Sequence, residues 1–248
     1  MDLDRITHPL RVAKGSHRPG SDRGCAMNVI SYINGDAEIT DFPSCSARPL
    51  AAFVQWCNDL LAGQDGYLSS DDSLLVLELG WQTMGTADAS RAVVHAWVAE
   101  LLTSPIWGVV EYAKNIAIKI TFDIADLHRM VAAGDTPPIT AWYSADRAGR
   151  AAARAYSPTL NAAGLYAVRA AYQSTAIGAT AHSARLDAVT GNVLRAHALG
   201  AGSTAATRAV RLTRHAIDSW RHLTRVGQSE DINLVPLDRA TQRREVPA

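Results

Sequence analysis

The sequence predicts an all-α fold, a multi-helix bundle whose second half consists of long, Ala-rich antiparallel helices. Three observations lead there. Apolar residues recur at spacings of three and four through most of residues 25–225, the period of a helix with one buried face. Gly, Pro or an Asn-Gly pair interrupts those runs at intervals that suit helices. Strand-like alternation is confined to Ile116, Ile118 and Ile120, with no second run to pair with it.

In chain order, residues 1–22 are polar and hold Gly15, Pro19 and Gly20, which reads as a flexible lead-in with order beginning near Cys25. Met27, Val29, Ile30 and Ile33 predict a short helix over Cys25–Ile33, stopped by Asn34-Gly35-Asp36 and followed by a loop to Cys45. Ser46 is expected to cap the next helix, which carries Leu50, Phe53, Val54, Cys57, Leu60 and Leu61 and closes at Gly63. Ser70, Asp71 and Asp72 place a cap and negative charge at the positive end of a helix running to Met84. A third long amphipathic stretch, Ala87–Leu102, aligns Val93, Val94, Trp97, Val98, Leu101 and Leu102 ahead of Pro105. Residues 106–122 fit a helix through Trp107, Val110, Ala113 and Ile116, or a strand through the three isoleucines; helical neighbours favour the helix. A further helix, Asp123–Ala133, is expected to expose Asp126, His128 and Arg129. Together these make a helical N-terminal part, residues 23–136.

From Pro138 the chain turns Ala-rich, with helices expected near 139–155, 159–176, 180–198 and 202–226. The breaks between them are Ser157-Pro158, Gly178 and Gly200-Ala201-Gly202. They form a bundle, residues 137–226, packed on the first part, and residues 227–248 read as a partly extended tail. Ala141, Ala145, Ala148, Ala152 and Ala155 repeat at spacings of four, three, four and three, a heptad seam of methyl groups. Such small residues let helix axes approach to about 8 Å. Buried alanine yields little area, at about 25 cal/mol per Å². These helices therefore depend on length, on propensity or on a partner, and self-association is expected.

A hydrophobic fraction of 48% in 248 residues supports a packed core and excludes a wholly disordered chain. The longest apolar stretches, such as Leu74–Leu77 and Ile116–Ile120, fall far short of the roughly 20 residues of a membrane span, so no membrane partner is expected. Asp2, Asp4, Arg5 and His8 stand where a signal peptide needs a basic and then an apolar run. The three cysteines lack disulfide-scaffold density, and a reducing, cytoplasmic location is expected.

Zero net charge conceals an uneven layout. Residues 1–136 carry 10 Lys/Arg against 17 Asp/Glu, whereas residues 137–225 carry 11 against 3. All eleven of those cations are arginines: Arg147, Arg150, Arg154, Arg169, Arg185, Arg195, Arg208, Arg211, Arg214, Arg221 and Arg225. Either the acidic front and basic rear dock on each other, or the rear offers a basic face to phosphate or to an acidic partner.

Two groups of residues are able to carry chemistry. His17, Cys25, Asp41 and Cys45 could hold a zinc ion if the loop Asp36–Cys45 folds back over the first helix, although no Cys-x-x-Cys or His-x3-5-His spacing supports it. Cys25 and Cys45 also stand near helix N-termini, where the dipole favours a thiolate; the structural alternative is buried thiols with a surface histidine. The pair Asn58-Asp59 reads as structural, with Asp59 capping or pairing with Arg48. In the rear half, Arg208, Arg211, Arg214, His215, Arg221, His222 and Arg225 gather on one long helix, as a solvated basic face or as a phosphate- or partner-binding surface. No Walker loop, nucleophile elbow, His-Glu-x-x-His helix or dinucleotide-binding glycine turn is present.

The block Gly15-Ser16-His17, Cys25-Ala26-Met27, Ser31-Tyr32, Gly35-Asp36, Asp41, Pro43, Cys45, Pro49-Leu50-Ala51 and Asn58-Asp59 resembles the front of a family of helical proteins from actinobacteria and their phages. Gly85-Thr86, Arg91, Trp97, Pro105-Ile106-Trp107, Ile139-Thr140-Ala141-Trp142 and the Ala-rich helices extend the resemblance over most of the chain. Members often carry a Glu and a His where this chain has Asn28 and Phe42, which weakens a metal or acid/base role here. The resemblance implies an actinobacterial or phage origin and a helical fold, and no activity.

Three functions follow as expectations. The leading one is a non-enzymatic helical interaction protein, without cofactor, whose rear half binds a protein partner or itself. The second is a metal- or thiol-dependent enzyme centred on His17, Cys25, Asp41 and Cys45, with zinc as cofactor. The third is nucleic-acid binding through the arginine-rich rear helices.

Overall fold

Helical punctuation becomes chain topology in the computed structural model, which describes residues 12–15, 23–179 and 184–233. In order these form α1 (Ala26–Asn34), α2 (Arg48–Leu61), α3 (Ser70–Gln82), α4 (Arg91–Thr103), a 3-10 turn (Val109–Tyr112), α5 (Ile116–Ala132), α6 (Ile139–Ala153), α7 (Ala162–Ala179), α8 (Ala184–Ala201), a 3-10 turn (Gly202–Thr204) and α9 (Ala205–Asn233). The fold is all-α. The extended pairings among the described residues are two isolated bridges, Ala13 with Tyr67 and Ser46 with Met84.

Several boundaries move for local reasons. Ser69, one residue before the expected cap, accepts the Asp72 amide, with Asp71 and Asp72 in the first turn of α3 as anticipated. Ser46 does not cap α2. Its hydroxyl lies 2.8 Å from that of Thr83, and Ala47 takes the cap position, its amide donating to the Thr86 hydroxyl. Residues 106–122 are not one helix: the 3-10 turn occupies their middle, and Ile116–Ile120 open α5, which runs unbroken through Asp123. Residues 227–233, expected as tail, continue α9.

Of the expected lead-in, residues 12–15 are described and are held in place; residues 1–11 and 16–22 lie outside the described residues. Val12 and Ala13 are fully buried. The Leu68 amide donates to Val12 carbonyl, the buried Asn58 amide group to Ala13 carbonyl, and Gly15 amide to an Asp59 carboxylate oxygen. Asn58 and Asp59 thus clamp the incoming chain, while Arg48 turns to Asp187 at 2.7 Å instead of Asp59. Among the described residues the lead-in is a fixed strap.

One hydrophobic core joins the front and rear parts, with α9 laid across α2, α4 and α8. Its centre is Trp97, whose ring meets Phe53 and Trp220 edge to face at 5.9 and 5.1 Å. Each such pair is worth roughly 0.5–1.5 kcal/mol beyond the area it buries. Acidic front and basic rear also meet along α9, where Arg208 pairs with Glu111 and Arg214 lies 3.8 Å from Glu78.

The expected methyl seam of α6 is kept only in part, at Ala145 and Ala152, while Trp142 and Gly149 are buried in place of Ala141 and Ala148. Trp142, Gly149 and Ala152 are the buried residues, Ala145 is partly buried, and Ala155 is exposed beyond the helix end. Close approach is made by glycines seated under rings. A Cβ at Gly149 would lie 2.5 Å from that of Tyr172, and one at Gly178 would lie 2.3 Å from the Trp142 indole. Gly178, expected at a break, lies one residue before the end of α7 at Ala179 and there also seats that indole.

Gly178→Ala is expected to lower stability by about 1–3 kcal/mol through overpacking against a buried ring. Urea unfolding would show a reduced midpoint at an unchanged slope; an unchanged midpoint would mean that the indole has room to withdraw.

Candidate functional site

The loop between α1 and α2 does fold back over the start of α1, as a metal site would require. It brings Asp41 to Cys25, whose thiol donates to the carboxylate at 3.4 Å, and to Asn28, whose side-chain amide donates at 2.9 Å. Asn28 also accepts the Cys25 backbone amide at 3.0 Å, so this is a helix-capping knot. Asn28 can donate to Asp41 where a Glu would set two carboxylates against each other.

Cys45 does not join it. Its carbonyl accepts the amides of Gly85 and Thr86, which ties the loop to the turn after α3. His17 lies outside the described residues, and among those described no group of three metal-capable side chains gathers. Burial pushes the Cys25 thiol up to about 12, with Asp41 adding to the shift, and burial does the same to Cys57, 3.0 Å from the Thr213 hydroxyl. The helix dipole thus does not prevail at Cys25, and its thiol stays protonated.

Two histidine clusters were not anticipated. His128, expected at the surface, is fully buried, because residues 121, 124, 125, 128 and 131 share the core face of α5. Its Nδ1 lies 2.9 Å from His95 Nδ1 and its Nε2 lies 3.0 Å from the Ser174 hydroxyl, with the Trp142 ring packed on both imidazoles. Ser174 donates its proton to the Ala171 carbonyl at 2.7 Å, so it accepts from His128 Nε2–H. Neutral His128 then has a bare Nδ1, which accepts from His95 Nδ1–H. The chain of bonds runs one way, from His95 through His128 and Ser174 to Ala171.

The second cluster lies where the first 3-10 turn meets α8 and α9. His197 Nε2 donates to the Trp107 carbonyl at 3.0 Å, leaving Nδ1 to accept from the Tyr112 hydroxyl at 3.0 Å and from Arg208 Nε at 3.3 Å. Burial and the neighbouring Glu111 raise the Tyr112 phenol above its ordinary range, so it remains a donor. Burial lowers His197 to about 4, assisted by Arg208. Burial lowers His95 to about 4 as well, assisted by Arg91, and carries His128 well below its ordinary value, assisted by His95. Ser174, His128 and His95 resemble a relay in composition, but all are buried, so no substrate reaches the hydroxyl.

The exposed chemistry is basic. On α9, Arg208 pairs with Glu111, Arg214 leans toward Glu78, and Arg221 donates to the carbonyls of Gln82 and Met84 at the end of α3. Arg225 is also engaged. Arg211, His215 and His222 remain exposed. Four of the seven residues of the expected basic face are thus engaged within the fold.

A groove of about 620 Å³ opens elsewhere, with Trp56 of α2, Arg169, Tyr172 and Gln173 of α7, and Asp187, Ala188, Gly191, Asn192 and Arg195 of α8 on its walls. Along α8 the lining residues Ala188, Gly191, Asn192 and Arg195 follow helical spacing, so one face of the helix forms the floor. The Arg195 guanidinium lies 5.4 Å from the Trp56 ring and 5.7 Å from that of Tyr166, and Arg169 lies 5.4 Å from the same tyrosine. No carboxylate pairs with either arginine among the described residues. The sequence registered both arginines only as part of a charge excess, since their convergence depends on the register of α7 against α8.

The buried histidines imply acid lability. A folded-state value below the unfolded 6.5 means that the unfolded chain binds more protons as pH falls. Stability is thus intact above pH 6.5 and declines toward pH 4, by about 1.4 kcal/mol per pH unit for each histidine. Denaturation at stepped pH should give this slope multiplied by about three, and His197→Gln should remove about one part. A flat profile would contradict neutral burial. Cys25 and Cys57 are expected to react with iodoacetamide only as fast as the native protein opens.

Comparison of the chain with protein-family models, with curated proteins and with solved structures finds no match, so its functional reading rests on its own residues.

Proposed function

We propose that this chain is a non-enzymatic helical binding protein, cytoplasmic and of actinobacterial or phage origin, whose rear half recognises an acidic partner. The observation that carries the reading is a separation of chemistries. The thiols of Cys25 and Cys57 and the cluster of His95, His128 and Ser174 are buried and uncharged. What meets solvent includes arginine with no carboxylate partner among the described residues, at Arg169 and Arg195 in the groove and at the exposed Arg211. Nucleophiles need access and a shifted proton, whereas anion recognition needs fixed, unpaired guanidinium groups.

Self-association has less support than the alanine seam alone suggests, because Gly149 of α6 and Gly178 of α7 seat Tyr172 and Trp142 of the other helix within the chain. No described helix is long and apolar enough to cross a membrane, and a membrane partner is not part of the proposal.

Beads coated with polyglutamate are expected to retain the full-length protein at low ionic strength and to release it as salt rises. The triple variant Arg169→Glu, Arg195→Glu, Arg211→Glu should pass through. Equal retention of the variant would sink the reading. Native mass spectrometry of protein purified without chelator is expected to show no bound metal, and stoichiometric zinc would restore the enzyme alternative.

A further inference from the structure

The groove on α7 and α8 carries more information than its charge. Arg169 and Arg195 both line the groove and both approach the Tyr166 ring, at 5.4 and 5.7 Å, and among the described residues no carboxylate pairs with either. One dianionic group would neutralise the pair, and guanidinium forks match phosphate oxygens in geometry. A lone carboxylate supplies half that charge.

Asp187 adds a second requirement. Its Oδ2 accepts from Arg48 Nε at 2.7 Å, while its Oδ1 is buried without a hydrogen-bond partner among the described residues. Such an atom costs about 1–3 kcal/mol unless a donor reaches it. An anion without an O–H or N–H cannot supply that donor, and the O–H of hydrogen phosphate sits on the charged group itself, so offering it to Asp187 would press that charge against the carboxylate. The ligand must therefore carry an O–H or N–H beside its negative group. Asn192 directs its side-chain N–H2 to Gln173 Oε1 and the Ala188 carbonyl, leaving the Asn192 oxygen and the Gln173 N–H2 group for further polar contact.

Gly191 is the third observation. Other glycines within α6 to α8 seat aromatic rings, as Gly149, Gly178 and Gly200 do against Tyr172, Trp142 and Tyr112. At Gly191, within α8 and on the groove floor, a Cβ would meet nothing within 4 Å. The helix accepts a propensity loss of roughly 1 kcal/mol there for no packing reason of its own. A bare backbone facing a groove gives room for a ligand to approach.

We propose that the groove binds a phosphate monoester of a small hydroxyl- or amine-bearing molecule, a sugar phosphate or nucleoside monophosphate in class. Arg169 and Arg195 take the phosphate, a turn of the Asp187 carboxylate brings Oδ1 to the donor, and the body of the ligand passes over Gly191. This rests on the reading of the protein as a binder of anions and adds the identity of the group bound.

The test is titration calorimetry on the full chain at fixed ionic strength with inorganic phosphate, ribose 5-phosphate, adenosine monophosphate, ribose and succinate. At least one ester should bind about ten-fold or more tightly than inorganic phosphate or succinate, and ribose should not bind. Gly191→Leu places a side chain in open space on a helix, so it should keep or raise the melting temperature while abolishing binding. Asp187→Asn should reduce the preference for ester over inorganic phosphate, and Arg169→Ala with Arg195→Ala should weaken the ester at least about ten-fold. Ester binding unaffected by Gly191→Leu, or no ester bound better than succinate, would overturn the assignment. Retention on polyglutamate would then show whether the anion-binding reading survives it.

Discussion

The position of α9 depends on one buried indole. Trp97 has no access to water, and its ring N–H must find an acceptor inside the protein. It finds the Ala216 carbonyl at 2.9 Å, on a helix that begins more than a hundred residues later. That bond, flanked by the contacts of Trp97 with Phe53 and Trp220, fixes how far along its axis α9 sits against α4. Trp220 repeats the arrangement by donating to the Thr86 carbonyl, and Thr213 meets Cys57 on α2. Two indoles and a hydroxyl thus set register where apolar packing alone would leave a helix free to slide. Once α9 is fixed, Arg208 stands beside His197 and Arg221 closes the end of α3.

Helices were legible in the sequence because their signal is local. The period of Phe53, Val54, Cys57 and Leu61, or of Trp97, Leu101 and Leu102, needs no distant information. His128 misled because its polarity suggested solvent, although it lies four residues from Ile124 and three from Val131, both on the buried face. Spacing was the better guide than chemical type. Gly178 was legible as the end of a helix but not as the seat of a ring, because that ring, Trp142, lies 36 positions upstream. The Cys25–Asp41 contact was legible as a conditional, since the loop had to fold back, whereas its character as a cap depended on Asn28.

The groove was the least legible feature, because it has no local motif. Trp56, Arg169, Asp187 and Arg195 come from three helices, and only the packing of α7 against α8, with α2 beside them, brings them together. Charge layout pointed to the rear half but not to the place. Where rear arginines meet front glutamates on α9 the excess is neutralised; on α7 and α8 Asp187 is already tied to Arg48, and the excess persists.

The one-way hydrogen-bond chain through His95, His128 and Ser174 has a consequence for how this core can change over generations. Each member's tautomer or rotor is set by the next, so no single replacement is self-contained. An apolar residue at 128 would leave His95 with an unmatched N–H and Ser174 with an unmatched oxygen, both sealed beneath Trp142. Viable drift at these sites must proceed by concerted exchange, all three polar groups giving way to hydrocarbon together, and the intermediates form a fitness valley. A lineage that entered the arrangement would find it hard to leave.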